Sequence, residues 1–261
     1  MCLVKQCDIP ARVWNTLKSW TDNLNKVYVP SKAQVFTFSE LESYIEAAPP
    51  PPPGLQECAM IIIAYSSGLR LVENYSLEWK DLTFRTAPAE VSVTIKKTKG
   101  NAEGRYFLIT NLKHIEIILK YRGTYLNTKL KDTGPLYRCW NVLAGKWSST
   151  RRGRRWFQDI PKKIARFLKK DEKWYTHHSL RRSMASQLHT NGATRLHIKY
   201  AGGWKSDKVV EGYVISSEGE KRRTADLVAQ DVSIDRILPG NKKVAELNPL
   251  KPLNPKKKIR L

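Results

Sequence analysis

HHSLRRSMASQLHTNGATRLHIKYAGGWKSDKVVEGY, residues 177–213, is the stretch on which the reading of this chain turns. The breaks Asn191-Gly192 and Gly202-Gly203 divide it into three predicted helices, at 178–191, 193–200 and 206–215. Along it lie His178 and Arg181 in a His-x-x-Arg spacing, then Trp204 after Gly202-Gly203, then Tyr213. Trp204 follows Arg181 by 23 positions, and Tyr213 follows Trp204 by nine. Taken singly, these residues would be a surface arginine, a core tryptophan and a packing tyrosine. His177 adjoins His178, but only His178 has the His-x-x-Arg spacing.

Working upstream, SSGLRLVENYSLEWKDL (66–82) contains Gly68-Leu69-Arg70, an acidic residue three positions on at Glu73, and Leu77-Glu78-Trp79-Lys80-Asp81. VSVTI (91–95) alternates with β-branched residues, KGNAEG is turn-like and RYFLIT resumes strand character, which predicts a β-hairpin. Lys99 stands just before Gly100 in that turn, with Lys96 and Lys97 beside it.

In this order and spacing the motifs resemble the tyrosine recombinases, or phage integrase family, over roughly 35–230 of the chain. Within that family, GGWKSDKVVEGY is most similar to the eukaryotic Crypton-type transposon recombinases. The resemblance implies an α+β fold, mostly helical with a small antiparallel sheet. It implies DNA strand cleavage and rejoining, with Arg70, Lys99, His178, Arg181, Trp204 and Tyr213 as catalytic residues and Glu73 orienting one of them. Either Lys99 or Lys97 could be the hairpin lysine.

The chemistry gives these residue types a reason to coexist. Attack on a phosphodiester builds extra negative charge on a five-coordinate phosphorus. Two planar, permanently protonated guanidinium groups can clamp its non-bridging oxygens. A tyrosine nucleophile conserves the backbone bond as a covalent 3′-phosphotyrosyl ester, so neither metal nor ATP is called for, and no cofactor is expected. The leaving 5′ oxygen needs a proton, which the resemblance implies comes from the hairpin lysine, and His178 is expected to assist the Tyr213 proton or contact the phosphate. Trp204 stands where many family members have His. An indole donates one N–H and packs broadly but exchanges no proton, so it serves as phosphate donor and buttress. A topoisomerase-like relaxing activity shares this chemistry, and a domesticated DNA-binding protein would share the fold without it.

Charge points to the same partner. A formal net charge of +22 in 261 residues favours binding to polyanions, and double-stranded DNA is the one predicted. Apolar runs such as MIIIAY (60–65) are far shorter than the roughly 20 residues of a spanning helix, so no membrane is expected. The four cysteines, Cys2, Cys7, Cys58 and Cys139, have no zinc-site spacing and read as reduced thiols. Given the resemblance, the basic residues become candidate phosphate contacts. These are Lys97, Arg105, Arg151, Arg152, Arg154, Arg155, Lys162, Lys163, Arg182 and Lys205.

Three regions are predicted. Residues 1–34 read as the last helix and linker of a core-binding domain, 35–237 as the catalytic domain, and 238–261 as a basic, disordered tail. In the family a helical core-binding domain of about a hundred residues, a domain-sized unit, precedes the catalytic one. Here Val13, Trp14, Leu17, Trp20, Leu24 and Val27 mark a single helix there. A helix opening near Thr37 or Ser39 is stopped by Pro49–Pro53, expected as an exposed polyproline II loop. An apolar helix over 55–68 follows, ending at Gly68, then a second from Leu71. Further helices are expected near 111–125 and in KKIARFLKK (162–170). TADLVAQDVSIDRIL (224–238), after Tyr213, is the expected self-association segment of a synaptic dimer or tetramer. PKKKIRL at the end reads as a nuclear localisation signal or a DNA-contacting tail.

Overall fold

The computed structural model of the chain describes residues 11–27, 33–48, 51–96, 104–126, 128, 130, 133–204, 206–214 and 218–229. Lys97, Lys99, Lys205, Cys2, Cys7, Pro49, Pro50 and everything from 230 onward, including most of the expected self-association segment and the basic tail, lie outside the described residues.

The centre of the molecule is α3 (Pro53–Ser67), in which Cys58 through Ala64 are all at most 3% exposed. PGLQECAMIIIAYSS carries apolar residues on most of its circumference, as a helix enclosed by neighbours does. It packs against α5 (Leu112–Leu126), α7 (His177–Thr190) and strand β3 (Arg105–Ile109). The expected polyproline loop is corrected at its end. Pro52 caps α3 and Pro53 occupies its first turn, where a missing N–H costs nothing. α2 (Phe38–Glu46) starts at a capping box, with the Thr37 side chain accepting from the Glu40 N–H and Glu40 returning to the Thr37 N–H.

The predicted hairpin is two thirds of a three-stranded antiparallel sheet. β2 (Ala89–Ile95) pairs on one side with β3, Val91 opposite Ile109 and Ile95 opposite Arg105. On the other side it pairs with β1 (Leu82–Thr86), a strand the sequence did not suggest because LTFRT is short and buries only Leu82 fully. Val91, Val93, Ile95 and Ile109 fill the inner face.

A second unanticipated hairpin, β4 (Arg138–Asn141) with β5 (Lys146–Arg151), is held by aromatic packing. Trp140 meets Trp147 edge-on at 4.9 Å, and Trp147 stacks on Tyr125 at 5.0 Å. The helix expected at KKIARFLKK begins earlier, as α6 (Arg154–Phe167), and runs through a buried Pro161. The remaining elements are α1 (Ala11–Val27), α4 (Leu71–Ser76), α8 (Arg195–Gly202) and α9 (Asp207–Val214). Val13, Trp14, Leu17 and Trp20 of α1 are all exposed. All these elements belong to a unit spanning Met1–Glu220. A second unit, Lys221–Leu261, contains most of α10 (Glu218–Val228). Among the described residues, no helix is long and apolar enough to cross a membrane.

Two of the buried polar residues of α3 reach across to other elements. The Gln56 amide donates to the Tyr121 hydroxyl at 2.8 Å and to the Arg138 carbonyl at 2.9 Å, and its oxygen accepts from Arg152 Nε at 3.0 Å. Glu57 accepts from the Tyr44 hydroxyl and from Lys163 Nζ, the latter at 2.7 Å. Gln56 thus ties α3 to α5 and to the second hairpin. Replacing it with Leu, similar in volume, removes all three bonds; the Tyr121 hydroxyl keeps Tyr125 and the Leu136 carbonyl, but the Arg138 carbonyl and Arg152 Nε lose this partner. Gln56→Leu is expected to lower unfolding free energy by about 2–4 kcal/mol in a denaturant titration, since each orphaned buried group costs roughly 1–3 kcal/mol.

Candidate active site

The site is built on the turn that ends α3. Gly68 sits at φ 57°, ψ 43°, a left-handed cap that lets its N–H and that of Leu69 bond the last carbonyls of the helix. The chain reverses there, buries Leu69, and delivers Arg70 as the residue capping α4. Glu73, one turn on, holds Arg70 twice. One carboxylate oxygen accepts the Arg70 N–H at 2.9 Å and the other accepts its guanidinium at 2.7 Å. The Arg70 side chain remains 42% exposed, whereas that of Glu73 is 2% exposed.

Across from this turn, α7 begins at Thr176 and carries His177, His178 and Arg181. Successive helical residues point about 100° apart, and the two histidines part accordingly: His177 is buried and His178 exposed. Arg181 is 2% exposed; its guanidinium donates to the Gly68 carbonyl and lies 4.2 Å from the centre of the Trp204 ring. Trp204 follows α8, its N–H bonded to the Lys199 carbonyl at 3.0 Å. Gly202 is required beneath it, because a Cβ there would fall 1.8 Å from the indole. Tyr213 lies near the end of α9, which packs on α7 and α8; its side chain lies outside the described residues.

A cleft of about 260 Å³ opens between these pieces. Arg70, His178 and Gln158 of α6 line it, with Leu69, Leu71, Thr176 and His177. Gln158 carries no motif that could have marked it in the sequence. Packing around His178, together with Arg181, Arg182 and Arg70, lowers its pKa, so the ring is neutral at neutral pH and able to take a proton. Burial pushes the Glu73 carboxyl up, but the Arg70 N–H, the Arg105 guanidinium and the Arg70 side chain outweigh it. The group is held below the ordinary carboxylate range.

Several expected phosphate contacts are otherwise engaged. Arg105 is corrected outright. Its side chain is only 12% exposed and donates to Glu73 at 3.1 Å, to the Ser67 carbonyl at 3.2 Å and to the Ala201 carbonyl. Arg151 donates to the Tyr75 and Leu77 carbonyls, Arg152 to Gln56, and Lys163 to Glu57. These four cations satisfy buried acceptors. Arg154 and Arg155 remain exposed, and Lys162 and Arg182 are half-buried.

With this geometry in hand, the sequence pattern of the phage integrase family matches residues 34–220. The chain belongs to the phage integrase family. No curated protein matches it by sequence. Among solved structures it is similar to a XerH site-specific recombinase in a post-cleavage complex with a palindromic difH substrate, at TM-score 0.58 and 20% identity. That match covers 76% of this chain and 54% of that one. It is also similar to XerA recombinase, at TM-score 0.58 and 14% identity, covering 79% of this chain and 66% of that one. The Tn1549 transposon integrase matches at TM-score 0.50 and 15% identity, covering 76% and 65%. The fold is therefore that of the family's catalytic domain, and the chain spans between half and two thirds of the length of these solved relatives.

His177 supplies a test of the α7 packing. Chiefly because of burial, then because of His178 and Arg181, its pKa falls from 6.5 to about 4; the neutral ring nitrogen lies 3.2 Å from the Asn74 amide. Above pH 6.5 the ring is neutral folded or unfolded, and its contribution is complete. Between about 6.5 and about 4 the unfolded chain takes up a proton that the native site refuses. Stability is therefore lost as pH falls through that window, by roughly 3 kcal/mol in all. Denaturant titrations across it should show this slope in the wild type and its absence in His177→Gln.

Proposed function

We propose that this chain cleaves and rejoins DNA strands, as in site-specific recombination or transposon integration, through a covalent 3′-phosphotyrosyl intermediate. The observation that carries this reading is the bond from the Arg181 guanidinium to the Gly68 carbonyl, 113 residues away in sequence. It fixes Arg181 to the very turn that presents Arg70, beside a cleft shared by Arg70 and His178. A phosphodiester entering there would meet Arg70 directly, with the charge of the buried Arg181 behind the same turn. In the step we propose, the Tyr213 oxygen bonds to phosphorus as its proton passes towards neutral His178. The bond to the 5′ oxygen breaks, and Lys99 protonates that oxygen. Trp204, packed face-on against Arg181, offers its indole N–H to the phosphate.

The nucleic acids held by the similar structures support the partner. XerH is bound to its difH substrate, and a Tn1549 integrase complex contains circular intermediate DNA. The likeness of GGWKSDKVVEGY to Crypton-type recombinases supports a transposon origin, and PKKKIRL supports action in the nucleus. The segment beyond Tyr213 is the proposed means of self-association in a synaptic dimer or tetramer. Phosphate contacts are assigned to Arg154, Arg155, Lys162 and Arg182, with Lys97 and Lys205.

The test is an adduct assay on a pool of nicked duplexes of randomised sequence, resolved on a denaturing gel. The wild type should yield a protein–DNA adduct, and Tyr213→Phe none. An adduct persisting in Tyr213→Phe would move the nucleophile elsewhere. Tight binding without any adduct would favour a DNA-binding protein without catalysis. Relaxation of supercoiled plasmid without joint products would favour topoisomerase-like action.

A further inference from the structure

Arg105 is the most heavily committed cation near the cleft. It is the first residue of β3, opposite Ile95, where the connection carrying Lys97 and Lys99 re-enters the sheet. Burying a guanidinium is costly unless its donors are matched. Here its two terminal nitrogens are matched by three separate elements, while its buried Nε has no hydrogen-bond partner among the described residues. Ser67 O belongs to the last turn of α3, Ala201 O to the last turn of α8, and the Glu73 carboxylate to α4. The C-terminal carbonyls of a helix lack intrahelical donors and carry the negative end of its dipole. One cation therefore serves two helix ends and a carboxylate. Gly203 accommodates it closely, since a Cβ there would lie 3.2 Å from Arg105 Cδ and Nε.

The consequence lies with Glu73. That carboxylate is shared between Arg105 on one side and Arg70 on the other. We infer that Arg105 is a positioning residue for strand cleavage, acting through Glu73 to hold Arg70 in the orientation that meets the phosphate. This rests on the recombinase reading of the site. Among the described residues, the other charged or titratable groups facing Glu73 are His177 of α7 and, across a small cavity, Asp81 and Lys96. With Arg105 absent, burial of Glu73 is less opposed. The carboxyl then protonates at higher pH and can no longer accept from both the N–H and the guanidinium of Arg70.

The experiment is single-turnover cleavage of a duplex recovered by the wild type from the randomised pool, followed across pH. Arg105→Met should slow cleavage about 100-fold, the cost of a small misplacement at a reacting centre, while DNA affinity changes less than about threefold, since no phosphate contact is lost. The acidic limb of its pH–rate profile should move to higher pH, and Arg105→Lys should restore that limb and recover part of the rate. In a Glu73→Gln background, Arg105→Met should add little further loss, because the two residues act in series. Should Arg105→Met not fold, Arg105→Lys and Glu73→Gln run the same cycle. Wild-type rate and pH profile in Arg105→Met, or losses that simply multiply in the double variant, would overturn the positioning role. A wild type that forms no adduct at all would instead remove the recombinase reading.

Discussion

The reversal at Gly68 is the constraint on which the rest of this fold hangs. α3 is enclosed on all sides, so its end must turn within the core, and only a left-handed residue makes that turn while satisfying the last carbonyls. A side chain at Gly68 would be strained at φ 57° and would fall 2.2 Å from the Met184 methyl. Because the turn is that tight, the Gly68 carbonyl points where Arg181 can reach it, and Arg70 emerges two residues later. The turn thus brings the two arginines together, and the side-chain bonds from Arg181 to Gly68 and from Glu73 to Arg70 hold them there.

Charge is used differently from what a net charge of +22 suggests. Arg105, Arg138, Arg151 and Lys163 are occupied by carbonyl or carboxylate acceptors within the fold. Arg138, for example, donates to the Thr133 and Pro135 carbonyls and lies over Tyr125. Such groups replace the backbone pairing that irregular turns cannot make for themselves. The basic surface left for a polyanion is correspondingly smaller; among the described residues it includes Arg154 and Arg155, which are exposed.

Much of the architecture was legible because it obeys local rules. The Thr37 capping box, the Gly68 terminus and the helices after Asn191 and Gly203 are punctuated by residues whose backbone preferences announce them. The β1 strand and the β4–β5 hairpin were not, because their stability comes from partners distant in sequence. LTFRT acquires strand structure by pairing with β2, and RCWN by the packing of Trp140, Trp147 and Tyr125. Around the cleft, spacing selected His178 over His177, and the two differ in burial. Spacing could not reveal Gln158, which reaches the cleft by packing alone, nor the role of Arg105. An arginine beside a lysine-rich turn reads as surface until its acceptors, on three other elements, are known.

Gly202-Gly203-Trp204 then acquires a meaning beyond that of a motif. Gly202 leaves room for the indole against its own backbone, and Gly203, at φ 63°, turns the chain while leaving room for Arg105. The indole stacks on Arg181, and the Ala201 carbonyl accepts from Arg105. Four consecutive residues therefore hold one arginine by its face and another by its donors. The first of these arginines is bonded to Gly68 and the second, through Glu73, to Arg70. Both arginines of the candidate phosphate clamp are thus braced from the same turn.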